Sequence, residues 1–247
     1  MTFDLGHGKT LDDAPGIIAL TPAEYPPLPD AAIAAATAGF LRPSSWFKDP
    51  TRPLELEIGC GKGTFIMEQS AQSPGTNYLG IEWAREFYMY TADRLRRAQR
   101  PNVRMLHTDA ADFLRWRCPA KTFHVIHLYF SDPWPKAKHH KNRVIQDRFL
   151  AEAWRTLTPG GELRVVTDHD DLWEWDVAHF ARWTGAGQAR ESRNSQSLVI
   201  PDPPFDLLPF TPPGWVGEGQ TVGTNYERKM CVDKQPHACV LRKRGDT

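Results

Sequence analysis

The chain has 247 residues with 30 basic and 30 acidic side chains and a formal net charge of zero, which argues against wholesale electrostatic binding to nucleic acid while leaving room for a local basic face. That length suits one large α/β domain, or one domain with an arm. No apolar run approaches the roughly 18 residues of a membrane span.

The N-terminal stretch MTFDLGHGKTLDDAPG lacks the basic-then-apolar order of a signal peptide. Cys60, Cys118, Cys231 and Cys239 form no CxxC pair, so they read as reduced thiols. A soluble cytoplasmic protein is the expectation. Residues 1–50 read as an arm or cap before a domain over 51–247. Within the arm, the proline-rich TPAEYPPLPD (21–30) predicts extended chain, and AAIAAATAGFL (31–41) a short helix.

From residue 53 strands and helices alternate. PLELEIG (53–59) predicts a strand, followed by a glycine loop and a helix through GTFIMEQSAQ (63–72). NYLGIEW (77–83) predicts a second strand, and AREFYMYTADRLRRAQR (84–100) an amphipathic helix with Tyr88, Thr91, Ala92 and Leu95 on one face. VRMLHTD (103–109) and FHVIHLYF (123–130) predict strands three and four. RVIQDRFLAEAWRTL (143–157) predicts a helix ending at Pro159-Gly160-Gly161, and GELRVVTD (161–168) a fifth strand. A proline-rich stretch (201–214) interrupts the tail, and CVLRK (239–243) can close the sheet. Such alternation predicts an α/β fold, a doubly wound, mostly parallel sheet with helices on both faces.

The strands share an ending. Glu57, Glu82, Asp109 and Asp168 lie at or just past four of them, and Asp132 lies just past the other. Ligands of open α/β sheets bind outside the carboxyl ends of the strands, so five carboxylates are expected around one crevice. Their mutual repulsion calls for donors or a cation. The simpler alternative is that each acid caps the helix that follows it.

The loop EIGCGKG (57–63) does not fit the Walker A spacing, and Gly59, Gly61 and Thr64 give GxGxxT where a dinucleotide fingerprint has GxGxxG. Glu82, at the end of the next strand, is placed to accept both hydroxyls of a ribose. Asp109 with Ala110 is placed to meet an adenine edge. S-adenosylmethionine has adenine, ribose and a cationic sulfonium but no pyrophosphate, which suits Glu57 and Asp132 better than a nicotinamide dinucleotide.

Beyond the fourth strand, HLYFSDPWPKAKHHKNR (127–143) sets Asp132 beside two stiffening prolines. Trp134 offers a flat face for a base, and a carboxylate can accept from guanine N1–H and its 2-amino group. Lys136, Lys138, Lys141 and Arg143, with His139 and His140 among them, supply cations for a phosphate backbone. The adjacent histidines have no evident third ligand, so no metal is expected.

LELEIGCGKG (54–63), YLGIEW (78–83), HTDAADFL (107–114), FSDPWPKAKHHKNR (130–143), GGELRVVTD (160–168) and TNYERK (224–229) together resemble the bacterial tRNA (guanine-N7-)-methyltransferase family. The run DPWPK with a downstream TNYE is the specific part. The resemblance implies a seven-stranded Rossmann-like methyltransferase sheet, S-adenosylmethionine as cofactor, and methyl transfer to N7 of a guanine in the variable loop of tRNA. It implies that Glu57, Gly59, Gly61, Glu82, Asp109, Ala110 and Asp132 surround the cofactor, with Asp132 the catalytic acid. It further implies that Lys136, Asp168, Thr224, Asn225, Tyr226 and Glu227 contact the guanosine, and that Lys138, His139, His140, Lys141, Asn142 and Arg143 touch RNA. The proline-rich arm has no counterpart in the family pattern. Two alternatives stand beside this reading: an exocyclic-amino methyltransferase, whose signature has adjacent prolines where this chain has Asp132-Pro133-Trp134-Pro135, and a non-catalytic RNA-binding protein on the same fold.

Overall fold

A computed structural model of the chain describes Leu5, Gly8 and residues 10–28, 39–185, 201, 203–230 and 234–245. Seven strands form one sheet: β1 (Leu54–Ile58), β2 (Asn77–Glu82), β3 (Val103–His107), β4 (Phe123–Tyr129), β5 (Leu157–Thr167), β6 (Phe205–Pro209) and β7 (His237–Lys243). Their order across the sheet is β3-β2-β1-β4-β5-β7-β6. The first five run parallel, and β7 is antiparallel to both neighbours. The chain winds outward from β1 to β3 and then returns to β4. That reversal opens a crevice beyond the ends of β1 and β4.

Among the described residues five α-helices cover the sheet: α1 (Thr64–Gln72), α2 (Arg85–Arg97), α3 (Ala110–Arg117), α4 (Asp147–Thr156) and α5 (Asp170–Thr184). Alternation along each strand decides which face a residue serves. Leu54, Leu56, Ile58, Leu79, Ile81, Leu163 and Val165 join Phe113, Phe149, Leu150, Phe180 and Trp183 of α3, α4 and α5 in the larger core. Tyr78, Val103 and Met105 face the other way, against Ile66 of α1 and Tyr88, Ala92 and Leu95 of α2. Tyr88, Thr91, Ala92 and Leu95 are all buried, as their spacing predicts.

Several boundaries differ from expectation. The helix expected from Arg143 begins at Asp147, because Gln146 turns back to donate to the carbonyls of Lys141 (2.9 Å) and Arg143 (2.6 Å) and holds the leader non-helical. β5 starts at Leu157 and runs through Pro159-Gly160-Gly161, with its register against β4 shifting between Phe123 and Val125. α3, α5 and β6 are additional to the elements expected from the sequence.

The arm is docked along the outer edge of β3. Ile18 accepts from the Met105 amide at 2.8 Å and Leu20 donates to Met105 at 3.2 Å, strand fashion. The buried guanidinium of Arg104 gathers the carbonyls of Ile18, Ala19 and Trp46 and pairs with Glu24 at 2.8 Å. TPAEYPPLPD, expected to be extended, instead turns at Thr21–Tyr25, where Glu24 accepts from the Thr21 amide at 2.8 Å and donates its own amide to Thr21 Oγ1 at 3.3 Å, a capping box. Of the helix expected over 31–41, residues 31–38 lie outside the described residues, as does Cys231. Cys60, Cys118 and Cys239 are free and buried. No described helix is long and apolar enough to cross a membrane.

Removing the Arg104 guanidinium takes one donor each from the carbonyls of Ile18, Ala19 and Trp46 and the pairing charge from Glu24. Arg104→Ala is expected to lower the unfolding free energy by about 1–3 kcal/mol in urea titration and to speed hydrogen exchange at the Leu20 amide. Unchanged exchange there would show that the arm docks without Arg104.

Candidate active site

The loop after β1 is shaped by its glycines and by Glu82. Gly61 and Gly63 take φ of +52° and +68°, in the left-handed region. A Cβ on Gly63 would sit 2.3 Å from the Thr91 methyl, so α2 can pack this closely only against a bare backbone. Thr91 also donates to the Gly61 carbonyl at 2.8 Å. The Glu82 carboxylate then fixes the loop from the end of β2: one oxygen accepts from the Gly61 amide and the other from the Ala84 amide, each at 2.8 Å. Each oxygen keeps a second lone pair for a ligand hydroxyl.

Beneath the loop lies Glu57, 5% exposed. Among the described residues its Oε2 has no hydrogen-bond partner. Burial pushes its carboxyl up to about 8, with the Glu82 charge adding to the rise and the Cys60 thiol and Ile66 amide opposing it. A buried oxygen left unsatisfied costs free energy unless something answers it.

These groups line a cavity of 930 Å³ at the carboxyl ends of the strands. Glu57, Gly59, Gly61, Glu82, Asp109, Ala110 and Asp132 are all on its wall, as are Trp134, Lys141, Asn142, Thr224, Asn225 and Tyr226. Asp109 caps α3 by accepting from the Asp112 amide at 2.9 Å, so for this acid the capping alternative holds as well. Asp168 is a correction to the expected ring of five. It stands off the cavity wall and accepts from Tyr226 Oη and Lys234 Nζ, each at 3.4 Å, so it bears on the crevice through the tyrosine.

The turn after β4 is strained. Phe130 and Trp134 have φ of +53° and +44°, a region that costs a non-glycine residue on the order of 1–3 kcal/mol. The Phe130 amide is held by the Val166 carbonyl at 2.7 Å. Between them Asp132 is exposed. The basic run then forms a 3-10 helix, Ala137–Asn142. Lys136 and Lys138 are exposed outside the cavity wall, while His139 and His140 are half-buried against Trp134 and Trp175.

Two expected contact residues have other work in the structure. Arg143 is on the cavity wall but only 2% exposed, with its guanidinium bonded to Pro133 and Asp171. Glu227 is 8% exposed, and its carboxylate gathers the consecutive amides of Thr221, Val222 (3.0 Å) and Gly223 (2.8 Å). It therefore shapes the loop that presents Thr224, Asn225 and Tyr226.

The wall also carries Trp83, Phe87, Arg115, Tyr129, Arg148 and Lys229. Trp83, 70% exposed directly after Glu82, had a signal in its place beside a strand-end acid. Arg115 and Arg148 had none, because they meet the cavity only through the packing of α3 on α4.

Residues 51–200 match the family described as "Putative methyltransferase". A tRNA (guanine-N(7)-)-methyltransferase of Geobacter metallireducens is 41% identical over 128 residues, which are 52% of this chain and 60% of that protein. The enzyme of the same name from Streptococcus suis is 35% identical over 131 residues, 53% of this chain and 61% of that one. The matched segments thus span about three-fifths of these curated relatives. Among solved structures, the aminoglycoside resistance methyltransferase NpmB1 superimposes with a TM-score of 0.48 at 14% identity, covering 88% of this chain and 94% of that one. With the matched stretch taking in the glycine loop, all five strand-end acids and the DPWP turn, this chain belongs to that methyltransferase family.

Proposed function

We propose that this protein is a cytoplasmic tRNA methyltransferase that uses S-adenosylmethionine to methylate N7 of a guanine. The observation that carries the reading is the buried, unpartnered oxygen of Glu57 on the cavity floor, with a second carboxylate, Glu82, close by. Such a floor favours a cationic, hydroxyl-bearing ligand and disfavours a phosphate. Glu57 would face the charged end of the cofactor, Glu82 the ribose hydroxyls, and Asp109 with Ala110 the adenine edge. Bound there, S-adenosylmethionine supplies an electrophilic methyl group on a sulfonium. The choice of tRNA guanine rests on the DPWPK and TNYE runs and on the names of the relatives.

Guanine N7 has an in-plane lone pair and is unprotonated at neutral pH, so no base is needed before alkylation. Asp132 then has two tasks: to accept from N1–H and the 2-amino group, which orients the purine, and to stabilise the positive charge the ring acquires. Trp134 and Tyr226 offer flat faces on the cavity wall, with Thr224, Asn225, Lys136 and, through Tyr226, Asp168 holding the guanosine. Lys138, His139, His140, Lys141 and Asn142 would meet the RNA backbone, whose phosphates set both affinity and its salt dependence.

Incubation with methyl-labelled S-adenosylmethionine and unmodified tRNA is expected to place the label on guanine N7. Label on an exocyclic amine would return the exocyclic-amino alternative, and no label with intact RNA binding would return the non-catalytic one. Asp132→Ala should lower turnover about 100-fold or more while the cofactor still binds; an undiminished rate refutes the role of Asp132.

Glu57 supplies a second test. With its carboxyl up at about 8 it is mostly protonated at pH 7 in the empty protein, and a cationic ligand favours the ionised form. Cofactor binding at pH 7 is therefore expected to release a proton, seen by calorimetry in buffers of different ionisation heat, and affinity should rise towards pH 8. Glu57→Gln should abolish the release and weaken binding; proton release persisting in that variant would place its source elsewhere.

A further inference from the structure

Arg143 ends the basic run that follows Asp132, yet its side chain is 1% exposed. The guanidinium acts in three directions. Its Nε donates to the Pro133 carbonyl at 2.9 Å, one terminal nitrogen donates to the Asp171 carbonyl at 3.3 Å, and the other pairs with the Asp171 carboxylate. It also lies 5.3 Å from the ring centre of Trp175, whose indole N–H donates to the Ile145 carbonyl at 2.7 Å. Asp171 and Trp175 belong to the first turns of α5. Arg143 thus ties that helix to the turn that carries Asp132.

The bond to Pro133 acts on a strained place. The Pro133 carbonyl and the Trp134 nitrogen share one rigid peptide plane. Trp134 is one of the residues with positive φ, and its ring rests 5.8 Å from His139. With the peptide plane held on one side and the ring on the other, the torsion between them is set. Without that hold the turn relaxes to an ordinary φ, and Asp132, one residue before Pro133, moves with it. Asp176 on α5 is 1% exposed and its Oδ1 has no hydrogen-bond partner among the described residues; burial pushes its carboxyl up, and the Arg143 charge opposes that rise in part.

We propose that Arg143 is a positioning residue that holds the Asp132–Trp134 turn in its strained form through Pro133, with Asp171 and Trp175 as its abutment. This rests on the reading of Asp132 as the group facing the reacting purine. It gives the last cation of the basic run a task inside the protein.

Two variants test it. The Asp171 side chain is 53% exposed, so Asp171→Ala removes the carboxylate of the abutment with little effect on folding. Arg143→Lys keeps the charge and loses the planar fork. Each is expected to lower kcat about 10- to 100-fold, with cofactor Kd, tRNA KM and the salt dependence of tRNA binding unchanged; Asp171→Glu, which keeps an acceptor, should recover most of the rate. In an Asp132→Ala background neither should lower the residual rate further. In the ligand-free protein both should speed hydrogen exchange at the His139 amide, which bonds the Lys136 carbonyl at 2.7 Å. Unchanged exchange and unchanged kcat would overturn the clamp, as would an added loss in the Asp132→Ala background. A raised tRNA KM with a shallower salt slope would overturn it in favour of an RNA contact. A wild type that methylates no tRNA would instead defeat the reading of the site, and the exchange measurement would still decide the clamp.

Discussion

The burial of the Glu57 carboxylate beneath a glycine loop sets the terms for the site. β1 is the central strand of the parallel half of the sheet, so its carboxyl end is walled by α1, by β2 and by the loop itself. A carboxylate there has little water, one oxygen without a partner and a second acid nearby. Each of these raises the energy of its charged form. Glu82 adds to that cost and offers no donor, since its own oxygens accept from the amides of Gly61 and Ala84. The unmet demand is for a positive ligand, and the cavity above has room for one together with a base.

Floor and lip of the cavity differ in kind. The floor is rigid and buried: Glu57, Glu82 and Tyr129 are each under 9% exposed. The lip carries Asp132, Trp83 and Tyr226, the last two 70% and 55% exposed. A small cofactor of fixed shape suits a closed floor, and a macromolecule can be met only by exposed groups. Between them runs the strained turn of Phe130 to Trp134, which free strand geometry would not adopt. Strain of this type persists where the surroundings over-determine it. Here the Val166 carbonyl holds one end and the Arg143 guanidinium the other.

Much of this was legible in the sequence because it depends on local order. Strand periodicity placed β1 to β5 within a few residues, and the acids at their ends marked the crevice side. What escaped depends on groups distant in the chain. Arg143 looks like a solvated cation in KAKHHKNR until Asp171 and Trp175, some 30 residues on, are brought around it. Glu227 looks like a ligand until the amides of Thr221 to Gly223 curl onto it. Asp168 obeys the strand-end rule and still stands behind Tyr226. The arm's turn was hidden by its prolines, although Thr21 and Glu24 carry the spacing of a capping box.

The most direct measurement is a structure of the protein with S-adenosylmethionine bound. The account requires the charged end of the molecule over Glu57, the ribose at Glu82, and the sulfonium methyl opening towards Asp132, Trp134 and Tyr226. A donor lodged outside the carboxyl ends of β1 and β4, or one whose methyl points away from Asp132, would contradict it.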